Sequence, residues 1–151
     1  MLSVEKTPLS WLREDNLEAM MFAHWRECSI DHEAVPLNPD WELAAEMEKR
    51  ATLHAFGLFD DRKLVGYAVF EMAPHLLFKS TLFAWNTGFY VVPESRKGNA
   101  AFKLFVGCEE ALKRMGVQKI TCLAPNESSL NRLLGKGGYT PTERYYTKLV
   151  A

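Results

Sequence analysis

Apolar residues recur at spacings of three and four along three stretches of the chain, a pattern typical of amphipathic helices. The first stripe consists of Leu17, Met20, Met21, His24, Trp25 and Cys28. After Pro36 and Pro39, Asn38 or Asp40 can cap a second helix that runs through Trp41, Ala44, Ala45, Met47 and Ala51. The most regular stripe consists of Ala101, Leu104, Phe105, Cys108, Ala111, Leu112 and Met115, and Gly116 follows it as a helix stop.

The middle of the chain changes to the period of β-strands. Residues 54–59 and 63–72 predict a hairpin, and residues 81–92 form an apolar run typical of a central strand that is buried on both faces. Gly88 within this run predicts a bulge or a close backbone approach. The C-terminal third predicts a short strand, a short helix and a closing strand at residues 118–123, 126–134 and 145–150.

These elements predict a mixed α/β sheet with helices on both faces. The strand–helix–strand unit over residues 81–123 should form a right-handed parallel crossover. A length of 151 residues suits one domain, and no repeat or long linker divides the chain. We therefore expect a single domain over residues 1–151.

Composition and charge exclude several classes of protein. A formal net charge of −1 gives no indication of a nucleic-acid partner, and no stretch approaches the roughly 18 apolar residues of a membrane span. Glu5 and Lys6 precede no apolar stretch, so we expect no secretory signal. Cys28, Cys108 and Cys122 lie far apart without a CxxC pair, which indicates reduced thiols of a cytoplasmic protein and no metal site.

The junction over residues 90–101 carries the clearest chemistry. A buried strand ends there, a polar turn follows, and a helix begins among small residues. A helix N-terminus has unpaired N–H groups and a partial positive charge, and Gly98 and Ala100 keep bulky side chains away from it. Arg96 and Lys97 add full positive charge. The pattern predicts a diphosphate site, although small residues can equally serve tight packing of helix on strand.

Residues 91–101 resemble motif A of the GNAT acetyltransferase superfamily, with a V-x-P-x-x-R turn before a Gly-x-Gly/Ala helix start. The usual Arg-x-x-Gly spacing of that family is one residue shorter here, at Arg96-Lys97-Gly98. Asn126, residues 133–139 and residues 145–149 resemble motif B and the last strands of the family. A narrower resemblance to GNAT-like proteins of bacteriophages is carried by His24-Trp25, residues 38–41, residues 63–67 and Pro74-His75-Leu76.

The resemblance implies an N-acetyltransferase that binds acetyl-CoA in a V-shaped opening between two parallel strands, which end near Val92 and Leu123. Pantetheine would run along the first strand, Asn126 would bond to it, and the diphosphate would lie on the turn. The implied cofactor-binding residues are Tyr90, Val91, Val92, Arg96, Lys97, Gly98, Asn99, Ala100, Ala101 and Asn126. Two alternatives remain: a protein of this fold that binds a host partner without turnover, and a nucleotide-binding module.

Acetyl transfer to an amine needs a base, and sometimes an acid for the departing thiolate. The candidates for deprotonating the amine are His75, Glu71 and a water held by Asn86. Each has a structural interpretation as well: a surface loop histidine, a solvent-facing strand residue and a partner within a bulge. Leu134 occupies the position where the family commonly has a tyrosine that acts as the general acid. The acceptor can be a protein lysine, an N-terminus, a small amine or a modified base, and the choice between monomer and homodimer stays open.

Overall fold

Five strands form one sheet in the computed structural model, which describes residues 1–150. The strands are β1 (Leu2–Lys6), β2 (Leu53–Asp60), β3 (Lys63–His75), β4 (Phe78–Val91) and β5 (Lys119–Thr121). They lie in the order β1-β2-β3-β4-β5, with the first four antiparallel and β5 parallel to β4. The mixed α/β class predicted from the sequence is confirmed.

Within residues 1–150, five α-helices accompany the sheet: α1 (Leu9–Glu14), α2 (Leu17–Cys28), α3 (Trp41–Lys49), α4 (Ala100–Arg114) and α5 (Ser129–Lys136). Of the two capping residues considered for α3, Asp40 is the one used, since its side chain accepts a hydrogen bond of 2.9 Å from Leu43 N. The short elements β1 and α1 were not predicted. They have five and six residues, which is too few for a hydrophobic period to stand out.

Helices cover both faces of the sheet because side chains alternate along each strand. Phe56 and Leu58 of β2 point into the cluster that α4 closes. Leu53 and Ala55 of the same strand point the other way, into the cluster formed with α1, α2 and α3. The sheet therefore lies between α4 on one face and the N-terminal helices on the other.

The C-terminal part differs from the sequence prediction in three respects. The predicted strand at residues 118–123 shrinks to Lys119–Thr121, and the helix predicted at residues 126–134 begins at Ser129. Residues 145–150 form no strand and are exposed to solvent, so the predicted closing strand is wrong. A strand needs a neighbour for its N–H and C=O groups, and β5 offers an edge of only three residues.

Candidate active site

A split between β4 and β5 is the feature around which the site is built. The two strands pair only at Phe83–Lys119, Ala84–Ile120 and Trp85–Thr121. β4 continues to Val91, whereas β5 ends at Thr121. Within residues 1–150, the second half of β4 thus has no strand partner on this side, and the sheet opens as a V.

A bulge lies at the start of this open half. The β3–β4 register shifts so that Val69 faces Gly88 and Phe70 faces Asn86, which leaves Thr87 unpaired. Asn86 is buried, and its Nδ2 donates to the Gly88 carbonyl at 2.7 Å. Of the two interpretations of Asn86, the geometry favours a partner that satisfies the bulge predicted at Gly88.

The pairing of β4 with β3 determines which backbone N–H and C=O groups of β4 point toward the split. Val92 N donates to Val65 O at 2.9 Å, so Val92 points its backbone toward β3. Alternate residues of an antiparallel ladder point in opposite directions, which turns the backbone groups of Val91 and Phe89 toward the split. Val91 O is already an acceptor there, at 2.8 Å from Arg96 Nε.

The turn between β4 and α4 is open above Gly98. A 3₁₀ turn at Pro93–Ser95 leads into it, and Gly98 has a φ of +86°, in the left-handed region that favours glycine. A Cβ atom added at Gly98 would meet no atom within 4 Å. The Asn99 side chain does not cap α4, so no cap competes for the first N–H groups of this helix, and such groups suit a diphosphate.

Arg96 does not extend into that space. Its guanidinium makes a bidentate ion pair with the Glu27 carboxylate of α2, at 2.8 and 2.6 Å, and lies 5.1 Å from the centre of the Tyr90 ring. The carboxylate raises the pKa of Arg96. Arg96 thereby joins the turn to α2. Sequence reasoning missed Glu27, and no sequence signal links two residues 69 positions apart.

His24 of α2 contacts two tyrosines of the sheet beside this ion pair. Its Nδ1 lies 2.7 Å from the Tyr67 hydroxyl, and its ring stacks on Tyr90 at 5.1 Å. Burial lowers the pKa of His24, with Glu27 acting in the opposite direction. Burial also raises the pKa of Tyr67. The pair is therefore uncharged near neutral pH, and His24 packs α2 against the sheet.

His75 and Glu71, the two candidate bases besides the water held by Asn86, both lie on β3. His75 Nδ1 accepts a hydrogen bond from Leu77 N at 3.1 Å, so the neutral ring carries its proton on Nε2 and has no free lone pair. Glu71 is exposed and lies directly opposite Trp85, the last β4 residue paired with β5. Of the three candidates, Glu71 alone combines a free acceptor atom with a place at the start of the split.

Comparison with known families decides what this arrangement is. Residues 11–135 match the family described as the acetyltransferase (GNAT) family. The chain belongs to this family. A comparison with curated protein sequences found no significant match.

Solved acetyltransferase structures share the fold over nearly the whole chain. An aminoglycoside acetyltransferase, HMB0005, from an uncultured soil metagenomic sample has a TM-score of 0.78 at 14% identity, covering 100% of this chain and 99% of that chain. The ribosomal-protein-alanine N-acetyltransferase of Brucella melitensis biovar Abortus 2308 has a TM-score of 0.68 at 15% identity, with 99% and 98% covered. A predicted acetyltransferase of Clostridium acetobutylicum, solved with acetyl-CoA, has a TM-score of 0.66 at 16% identity, with 99% and 97% covered.

On the motif B side of this GNAT domain, Leu134 stands where the resemblance leads us to expect a tyrosine that acts as an acid. Leu134 is buried, and Asn126 lies exposed in the loop before α5. Tyr139 packs its ring against Phe105 of α4 at 5.1 Å, and its hydroxyl donates to Glu109 at 3.4 Å. Burial raises the pKa of Tyr139. Tyr139 thus serves the packing of the C-terminal segment on α4.

Cys122, which directly follows β5, offers no nucleophile at the split. Burial raises the pKa of Cys122 to about 12, so this residue is a protonated, unreactive thiol. Among residues 1–150, no three side chains of the metal-binding types form a group that could hold an ion. In the same part of the chain, no helix has the length and apolarity to cross a bilayer.

Proposed function

We propose that this protein transfers an acetyl group from acetyl-CoA to a primary amine. The observation that carries the proposal is the split beside β4, which leads to an uncapped helix N-terminus at Gly98. Pantetheine would pair with the backbone edge over residues 89–92, where Arg96 Nε holds Val91 O in the unliganded chain, and the diphosphate would lie on residues 96–101. Asn126 would bond to the pantetheine arm from the α5 side.

The proposed reaction is a direct attack on the thioester. The amine nitrogen forms a C–N bond with the acetyl carbonyl carbon, the C–S bond breaks, and CoA leaves as a thiolate. Glu71 would accept the amine proton through water, with Asn86 and His75 as the weaker candidates because both are engaged elsewhere. Leu134 cannot donate a proton, but a thiolate whose thiol has a pKa near 8.5 leaves without an acid.

The acceptor and the setting are part of the same proposal. By their names, similar structures act on aminoglycosides and on a ribosomal-protein alanine, so an amine of a small molecule or of a protein fits this chain. We propose a single domain in a reducing cytoplasm, since the three cysteines are free. If the narrower resemblance to bacteriophage proteins holds, that cytoplasm is the host's.

The alternative is a GNAT-fold protein that binds a partner without turnover. Arg96 favours it, because its guanidinium is held by Glu27 and faces away from the open turn. The shortened turn and Leu134 point in the same direction. The two functions differ in whether acetyl-CoA binds and is consumed.

Calorimetry with acetyl-CoA, CoA and ATP separates these functions. We expect micromolar binding of acetyl-CoA and CoA. Ligand at 100 times Kd should stabilise the fold by about 2.7 kcal/mol, which raises Tm by several degrees. Mass spectrometry of candidate amines then detects acetyl transfer. Binding of ATP alone would indicate a nucleotide module, binding without transfer would favour the non-catalytic alternative, and no binding at all would exclude an acetyltransferase.

A further inference from the structure

A row of residues crosses the sheet at the point where the split begins. The strand register aligns Leu53, Glu71, Trp85 and Thr121 across β2, β3, β4 and β5. Residues paired in this way point to the same face of a sheet. Leu53 packs with α1, α2 and α3, so Glu71 and Trp85 lie on the face that carries those helices.

Glu71 and Trp85 lie outside the cover of the helices. Glu71 is exposed and Trp85 is half-buried. Among residues 1–150 the Glu71 carboxylate makes no hydrogen bond or ion pair. Directly opposite residues have Cβ atoms about 4.5–5.5 Å apart, so the side chains of Glu71 and Trp85 begin next to each other.

Aromatic rings continue from Trp85 toward the hairpin end. The buried ring of Phe83 stacks on Trp85 at 5.3 Å with an interplanar angle of 12°, and the half-buried His75 ring lies 6.2 Å from Trp85. Lys119 Nζ lies 5.6 Å from the Phe83 ring centre. The surface thus has a negative charge at its Trp85 end, a positive charge at its Phe83 end, and aromatic rings between them.

We propose that this surface binds the acceptor of the acetyl group, and that the acceptor is an arylalkylamine with one positive charge. Its ammonium lies between the Glu71 carboxylate and the face of Trp85, and its ring lies along Trp85 and His75. The inference rests on the proposed acetyl transfer. Trp85 is the last β4 residue paired with β5, which puts the amine at the inner end of the split.

The charges favour this class of amine over others. A carboxylate together with a tryptophan face is an arrangement that attracts a cation. Lys119 repels a second cation at the Phe83 end, which disfavours polyamines. Glu71 likewise disfavours amines that carry a carboxylate or phosphate close to the nitrogen.

Direct titration with phenethylamine tests the surface without turnover. We expect phenethylamine to bind, and its uncharged analogue phenethyl alcohol and the polyamine spermidine to bind at least about 10-fold more weakly. Glu71→Gln and Trp85→Leu should each weaken phenethylamine binding by roughly 10-fold. Glu14→Gln and Trp11→Leu replace exposed residues of the same types on α1 and should leave the affinity unchanged.

Separate titrations with phenethylamine and with acetyl-CoA distinguish failure of the acceptor site from failure of the proposed function. No binding of phenethylamine at millimolar concentration, or equal binding by the parent and Glu71→Gln, overturns the acceptor site. Because Glu71 is exposed, we expect Glu71→Gln to fold, so this variant tests the acceptor site even if Trp85→Leu does not fold. Acetyl transfer to another amine that persists in Glu71→Gln also overturns the site. That result shifts the role of base from Glu71 to Asn86 or His75 but leaves the proposed acetyl transfer intact. Failure of acetyl-CoA to bind in the absence of amine overturns both.

Discussion

His54 is a buried histidine with only one of its two ring nitrogens paired. Its Nε2 lies 3.0 Å from Ala51 O, and its Nδ1 has no partner within residues 1–150. A carbonyl only accepts, so Nε2 carries the proton in the neutral ring. Protonation of Nδ1 would bury a donor without an acceptor. Burial accordingly lowers the pKa of His54, and the charge of Lys6 lowers it further.

Stability should therefore fall in acid. The unfolded chain protonates His54 near its ordinary pKa of 6.5, whereas the folded chain does so only at lower pH. The unfolded state thus binds more protons below about pH 6.5, and the free energy of unfolding decreases as the pH falls through that window. His24, whose pKa burial also lowers, adds to the effect. Urea denaturation between pH 5 and 8 measures it, and His54→Phe should reduce the slope. A free energy that rises toward acid would contradict this account.

Gly98 and Gly116 form a matched pair at the two ends of α4. Their φ angles are +86° and +88°, and an added Cβ meets no atom within 4 Å at either position. Alanine should therefore cost about 1 kcal/mol of backbone strain at both sites. Only Gly98→Ala places a methyl group where the diphosphate is proposed to bind, so it alone should weaken acetyl-CoA binding, by roughly 10-fold or more. Equal affinities in calorimetry would place the diphosphate elsewhere.

At the level of elements, the spacing of apolar residues predicted the helices and strands whose formation depends mainly on that spacing. α2 and α4 were found because each has a long stripe at helical spacing. β2, β3 and β4 were found because their apolar runs are long and bounded by turn residues. The prediction of a strand at residues 145–150 was wrong because a strand also needs the free edge of a neighbouring strand, which the local sequence does not encode.

The ion pair between Arg96 and Glu27 links two elements that the candidate site needs. Both side chains are more than a third exposed, so Glu27→Gln should change stability by less than about 1 kcal/mol. The variant releases the guanidinium for the proposed diphosphate. We expect several-fold tighter acetyl-CoA binding with a steeper salt dependence. Glu18→Gln, which breaks the exposed pair with Arg13, is the control. Weaker binding by Glu27→Gln would mean that the ion pair holds the turn in its binding shape.

At the level of the whole molecule, the two halves of the candidate site differed in how far sequence predicted them. Apart from Asn126, the proposed cofactor half is contiguous, since residues 90–101 contain the strand end, the turn and the helix start. The opposite half comes from separate elements, as the contacts Arg96–Glu27 and His24–Tyr67 show. Such contacts arise from the stacking of α2 on the sheet, so they become visible only once the chain is folded.

The C-terminal segment supplies a last test at this scale. Residues 140–150 are exposed and lie outside every helix and strand, whereas Tyr139 packs on Phe105. A chain ending at Tyr139 loses little buried surface, so its free energy of unfolding should change by less than about 0.5 kcal/mol.

A chain ending at Lys136 is the matched comparison, because it also loses the Tyr139 ring on α4 and the hydroxyl bond to Glu109. Removal of that half-buried aromatic side chain should cost roughly 1–3 kcal/mol. Urea denaturation of both truncations compares them directly. If the cut after Tyr139 is as costly as the cut after Lys136, residues 140–150 make stabilising contacts of their own, and this account of the segment is wrong.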